Sequence, residues 1–260
     1  MLAEEQRRQL RDDGFCIVPN VLSPEDLSRA RKALDWAVEE IRETGGSTFD
    51  ARLDPTAASV RVYNLPEKDP VFIELLRNPI ALECVEAVLG PNFLISNFTA
   101  NNALPGAAPM KTHSDQALLV PDPWNTPWSI NIIWCLDDVD AENGATQYVP
   151  GSHLYRTHAE VPLDLDAKLQ SFAAPAGSLV VMEGRLWHSS GSNVSVDRQR
   201  RLAFAYYNVD FIRQQFNWEA ALSAETKDSL DDEGRRLFGL GPAGNTRMGG
   251  ALTRLRPEQS

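Results

Sequence analysis

The sequence predicts a mainly β protein with flanking α-helices, built on a double-stranded β-helix, the jelly-roll or cupin-like core. Three observations predict it. The first third reads as capped, amphipathic helices. The middle reads as short strands bounded by turn residues. Those strands carry a His-x-Asp pair, answered much later in the chain by a third candidate ligand. The 260 residues suit one domain over 1–260. Its helical N-terminal part is expected over about 1–92, the jelly-roll core over about 93–210 and a helical C-terminal tail over about 211–260.

Residues 3–13 read as a short helix stopped by Gly14, and Phe15–Val18 as a strand. Ser23-Pro24-Glu25-Asp26 opens the next helix, with a Ser N-cap, Pro at the first helical position and acids in the first turn. Leu27, Ala30, Leu34, Val38 and Ile41 keep its apolar period until Gly45-Gly46. Val60–Leu65 alternates as a strand, with Arg61 and Tyr63 facing either a pocket or solvent. Pro70–Leu89 reads as one or two helices broken near Asn78-Pro79 and ended at Gly90. Phe93–Ala100 is a strand with Asn97 and Thr99 on one face, toward a cavity or toward water.

Leu119–Ser129 is a Pro-rich loop holding Trp124 and Trp128, either a lid or a surface loop pinned by its tryptophans. Ser129–Leu136 is an apolar strand that runs into the acidic turn Asp137–Gly144. The acids of that turn lack EF-hand spacing, so it reads as a solvated turn. Gly177–Met182 and Arg200–Asn208 read as strands, residues 211–240 as helical, and 239–260 as a Gly/Pro-containing tail that would cover the site or meet a second subunit. His153 and His158 read as structural.

Composition narrows the function. With 25 basic and 36 acidic residues the net charge is −11, which argues against nucleic acid or an anionic membrane surface as partner. No apolar run approaches a membrane span, and the charged start is not a signal peptide. Cys16, Cys84 and Cys135 are far apart in apolar contexts and are expected to be reduced and buried, in a cytoplasmic setting.

The chemistry lies in His113-Ser114-Asp115 and in His188. In an extended strand His113 and Asp115 point the same way, so both can reach one ion. Two imidazoles and one carboxylate form the facial triad of non-heme Fe(II) sites, which leaves positions open for substrate and dioxygen. Arg200 opens a strand 12 residues after His188. A guanidinium there can grip the far carboxylate of a dicarboxylate bidentately. Arg201 would face the other side of that strand.

Taken in order, these segments resemble the phytanoyl-CoA dioxygenase family of Fe(II)- and 2-oxoglutarate-dependent oxygenases. The matching stretches are Asp13–Ser23, His113–Gln116, Leu136–Gly144 with Val149–His153, Trp187–Asn193, and Arg200–Asn208. The resemblance implies that His113, Asp115 and His188 bind Fe(II), and that Arg200 holds 2-oxoglutarate with Ser190 adding a hydrogen bond. It implies dioxygen as co-substrate, with ascorbate a helpful reductant. Counting forward from His188 lands near Gln199, whereas aligning from Ala203-Phe204 and Tyr207-Asn208 selects Arg200. Related halogenases replace the carboxylate ligand with a small residue, so Asp115 favours hydroxylation.

Gln116, Trp124, Trp128, Trp134 and Phe211 are expected to edge the substrate pocket, which suits an apolar or mixed small molecule. No basic patch for CoA phosphates is evident, so natural-product tailoring is favoured over acyl-CoA oxidation. The rival reading is a cupin-like metal-dependent isomerase or sugar-binding module, which would not need Arg200. The sequence leaves the oligomeric state open, with a homodimer as one option.

Overall fold

A computed structural model describes residues 2–241. Helix α1 (Glu4–Asp13) ends at Gly14, whose φ of 75° is the left-handed turn that only glycine takes without strain. Strand β1 (Phe15–Val18) follows. Helix α2 (Pro24–Glu43) starts where Ser23 accepts a hydrogen bond from the Asp26 amide. Strand β2 (Ser59–Val62) leads to α3 (Pro70–Leu76) and α4 (Pro79–Leu89), which are separated at Asn78-Pro79 as the sequence predicts. The core runs through β3 (Phe93–Ala103), the short helix α5 (Asp115–Leu119), β4 (Ser129–Cys135), β5 (Thr146–Tyr148) and β6 (Gln170–Ser171). It closes with β7 (Leu179–Glu183), β8 (His188–Ser190) and β9 (Arg200–Val209). Three short helices follow, α6 (Trp218–Ala221), α7 (Ala224–Ser229) and α8 (Asp232–Leu237). The expected helical stretch over 211–240 is therefore broken, and the expected tail past Gly241 lies outside the described residues.

Six antiparallel strands in the order β1-β7-β4-β9-β3-β2 form the large sheet, and β6-β5-β8 the small one. The pleat sorts the large sheet's side chains. Ile130, Ile132, Trp134, Val181, Ala205 and Tyr207 pack under the helices. Ile133, Cys135, Val180, Met182 and Leu202 point into the space between the sheets. Phe15 crosses that space to stack on Tyr148 of the small sheet, ring centres 4.1 Å apart. Burying a large apolar side chain of this kind contributes about 1.5–3 kcal/mol.

One irregularity positions the site. The β3–β9 register shifts between Ile95 and Asn97. Ile95 packs under the helices, yet Asn97, Thr99 and Asn101 line the interior cavity. A bulge that adds one residue reverses the facing of everything after it. The three cysteines are free and buried, as expected. Among the described residues no helix is long and apolar enough to cross a membrane.

Candidate metal centre and co-substrate cavity

His113 and His188 meet through their backbones. The amide of each donates to the carbonyl of the other, at 2.9 Å from His113 and 2.8 Å from His188. This antiparallel bridge is the only ladder contact at His113 among the described residues, and the expected strand through His113 and Asp115 does not form. Ser114 is the reason. Its hydroxyl accepts from the Ala117 amide and donates to the Gly184 carbonyl, capping α5 so that Asp115 becomes the first helical residue. The turn still delivers the carboxylate to the imidazoles.

The ligand atoms of His113, Asp115 and His188 lie within 4.8 Å of one another. Asp115 Oδ1 is 3.6 Å from His113 Nε2 and 3.8 Å from His188 Nε2. Each ring places Nδ1 on a backbone carbonyl two residues earlier, Lys111 O at 2.9 Å and Leu186 O at 3.0 Å. Donation from Nδ1 leaves both Nε2 lone pairs free for a metal. Asn131 Nδ2 donates to Asp115 Oδ2 at 3.1 Å and holds the carboxylate in place.

The charges suit a cation. Burial alone would raise the Asp115 pKa, but the two imidazoles and the Asn131 amide outweigh it and hold the carboxyl down at about 2. Burial pushes His188 below its usual value and keeps it neutral. Burial opposes the proton on His113 as well, but the neighbouring Asp115 carboxylate outweighs it and raises that ring. One anion and two imidazoles, with nitrogen and oxygen donors only, fit Fe(II).

A cavity of about 280 Å³ opens on the triad. Arg200 lines it and is 1% exposed. Its Nε has no hydrogen-bond partner among the described residues, and its only side-chain hydrogen bond there is a long one of 3.4 Å to Asn101 Oδ1. Burial lowers its pKa to about 10, so it stays charged at neutral pH. A buried guanidinium without a carboxylate is costly unless a ligand supplies one. Arg201 faces the helices and pairs with Asp35 at 3.5 Å and Asp137 at 3.6 Å. Ser190 also lines the cavity, and its Oγ accepts from the Met110 amide at 2.8 Å.

The residues expected to edge the substrate pocket are placed differently. Trp134 is fully buried under the helices, because alternate residues of β4 face the cavity and Asn131 takes the inward position. Trp124 is buried against His158 and Trp187, with its ring nitrogen on the Val120 carbonyl. Gln116 is buried and pins the loop through the Thr126 carbonyl and the Trp128 amide. Trp128 meets Phe211 edge to face at 5.7 Å, away from the triad's cavity lining. The lining instead includes Arg61, Tyr63, Asn131, Phe204, Tyr206 and Phe216. Alternation along β2, β4 and β9 brings Arg61, Asn131 and Tyr206 inward, a signal present in the sequence but readable only once the inner face is known.

A profile of the phytanoyl-CoA dioxygenase (PhyH) family matches residues 10–202. Dioxygenase af480 of Aspergillus fumigatus is 42% identical over 242 residues, covering 93% of this chain and 78% of that one. In fold, the chain is similar to SnoK, a non-heme alpha-ketoglutarate-dependent carbocyclase of nogalamycin biosynthesis. The TM-score is 0.65 at 22% identity, covering 85% of this chain and 91% of SnoK. It is similar also to HygX of Streptomyces hygroscopicus, solved with nickel and 2-oxoglutarate bound, with a TM-score of 0.67 at 18% identity over 82% of this chain and 90% of HygX. The jelly-roll architecture, the histidine and aspartate cluster and the match over most of its length agree, and the chain belongs to the phytanoyl-CoA dioxygenase family of Fe(II)- and 2-oxoglutarate-dependent oxygenases.

Proposed function

We propose that the whole chain acts as one Fe(II)/2-oxoglutarate-dependent dioxygenase domain that oxidises a small organic molecule in natural-product metabolism, by hydroxylation or by desaturation or ring formation. The observation that carries this reading is Arg200, a buried guanidinium lacking a carboxylate partner among the described residues in the cavity that holds the triad. In this reading His113, Asp115 and His188 hold iron, Arg200 grips the far carboxylate of 2-oxoglutarate, and Ser190 donates its remaining hydroxyl proton to the same group. The chemistry such a centre would supply, with 2-oxoglutarate and dioxygen, is oxidation of an unactivated carbon coupled to release of succinate and CO2.

The chain's own residues do the rest. The Nδ1 contacts fix both imidazoles, and Asn131 fixes the carboxylate, so the ligand set is preorganised. Phe204 and Phe216 add apolar surface to the otherwise largely polar cavity lining. Relatives named dioxygenase in Aspergillus fumigatus and Aspergillus terreus, and the place of SnoK in nogalamycin biosynthesis, support small-molecule tailoring. Three reduced, buried cysteines support a cytoplasmic setting.

The test is an anaerobic titration of metal-free protein with Fe(II) and then 2-oxoglutarate. A visible charge-transfer band is expected in the wild type and its loss in His188→Ala. Iron binding without the band would return the chain to the cupin-like reading.

A further inference from the structure

Two polar atoms in the cavity lining have no partner among the described residues. The Tyr206 hydroxyl and Asn131 Oδ1 are each buried, with no hydrogen bond among the described residues. Both residues line the cavity. They are direct cross-strand neighbours, since Asn131 of β4 pairs with Tyr206 of β9. Such neighbours stand side by side on one face of a sheet. Asn131 is also the residue whose amide nitrogen holds Asp115, so its free oxygen lies beside the metal site. The Asp115 charge reaches Tyr206 as well, and adds to the burial that raises the phenol's pKa. Ser129 lies beside the phenol and offsets part of that rise, but the two hydroxyls are not aligned for a full hydrogen bond.

A buried phenol and a buried amide oxygen without partners each carry a desolvation penalty. Their chemistry is complementary. Tyr206 can donate, and Asn131 Oδ1 can only accept. An alcohol satisfies both at once, accepting from the phenol and donating to the amide. A ketone satisfies only the phenol, and a hydrocarbon neither.

The geometry points to a substrate-recognition pair: we infer that Tyr206 and Asn131 bind a hydroxyl group carried by the substrate, close to the carbon that is oxidised. This rests on the oxygenase reading above. It narrows the substrate from a small organic molecule to one that already bears an alcohol. The class of reaction upstream is then one that leaves a hydroxyl on the skeleton, by hydration, carbonyl reduction or an earlier oxygenation. Tyr206 is a specificity residue here, with no role in holding iron.

The experiment uses wild type and Tyr206→Phe, loaded anaerobically with Fe(II) and 2-oxoglutarate. Cyclohexanol, cyclohexanone and cyclohexane serve as probes, and their binding is read as a shift of the charge-transfer band. Wild type is expected to bind cyclohexanol about tenfold more tightly than cyclohexane, with cyclohexanone between them. Tyr206→Phe is expected to form the same band and to lose most of that preference. A second readout needs no iron: the melting temperature of metal-free Tyr206→Phe should equal or exceed that of wild type, because the variant deletes an unpartnered buried hydroxyl. Equal affinity for the three probes, absence of cyclohexanol binding, or a clear fall in the melting temperature of Tyr206→Phe would each overturn the inference. A band that never forms in wild type is a different result, and overturns the oxygenase reading together with the inference built on it.

Discussion

His113 and His188 are hydrogen-bonded to each other through their main chains, each amide donating to the other's carbonyl. The metal centre is therefore a closure of the barrel as well as a reactive site: one ligand pair ties the segment before α5 to β8. A metal that binds only the folded chain stabilises it by mass action, about 2.7 kcal/mol at a hundredfold excess over Kd. Adding Fe(II) anaerobically should raise the melting temperature by roughly 5–10 °C for a chain of this size. The same addition to His188→Ala should leave it unchanged. An equal rise in the variant would place the metal elsewhere.

Arg200 and Arg201 are adjacent in sequence and opposite in surroundings. Arg200→Met should weaken 2-oxoglutarate roughly 30-fold or more, the usual loss when one partner of a buried charged pair is removed. Arg201→Met breaks partly exposed pairs with Asp35 and Asp137 and should change that affinity by about twofold at most. The co-substrate-free Arg200→Met protein should also melt no lower than wild type, because it loses a buried charge that lacks a carboxylate. Equilibrium binding of 2-oxoglutarate to the two variants checks the ranking, and reversed values would move the role to Arg201.

Acid should release the metal through one imidazole. The Asp115 carboxylate raises the pKa of His113 above 6.5 against the opposing effect of burial, while burial keeps His188 neutral. The His113–Asp115 contact stabilises the metal-free fold fully below pH 6.5, and that contribution is lost as pH rises through the raised value. Metal binding runs the other way, because the metal needs the neutral ring. Affinity should fall about tenfold per pH unit below the raised His113 pKa and level off above it, with one proton released per metal. Asp115, held at about 2, stays ionised across that window. Chelator competition from roughly pH 5.5 to 8.5 measures the slope. A slope of two protons would show that both rings titrate.

The fold and the cluster of two histidines and an aspartate were legible because their signals are local. Ser23-Pro24, Asn78-Pro79 and Gly14 act within one turn of chain, and the structure stops and starts its helices there. The triad was legible from residue types and spacing, although the strand drawn through His113 and Asp115 gave way to a Ser114 cap. Cavity facing was less legible. The bulge near Ser96 reverses the sides of β3, and nothing in the alternation of Asn97 and Thr99 reveals it. The contact area of tryptophans suits a pocket, but Trp134 and Trp124 are buried in packing instead. A large aromatic is as useful for packing as for binding, and only the tertiary neighbours decide between the two.

Gly184 is the narrowest point in the support beneath Asp115. Its carbonyl accepts from the Gln116 amide at 2.8 Å and from the Ser114 hydroxyl at 3.0 Å, and its amide donates to the Ser129 carbonyl at 2.9 Å. One residue thus joins the turn after β7 to the start of α5 and the start of β4. A Cβ there would sit 2.7 Å from the Ser129 carbonyl oxygen and would also strike the Ser129 hydroxyl. Backbone must shift to admit it. Gly184→Ala should destabilise the metal-free protein by about 2 kcal/mol or more, through overpacking of a buried site. The displaced α5 carries Asp115 with it, so Fe(II) affinity should fall as well. Ser114→Ala separates the two effects, since it removes the cap without adding volume and should remove about 1 kcal/mol of stability. Chemical denaturation and chelator competition on both variants decide the matter. Wild-type metal affinity in destabilised Gly184→Ala would mean that α5 is held by contacts other than Gly184.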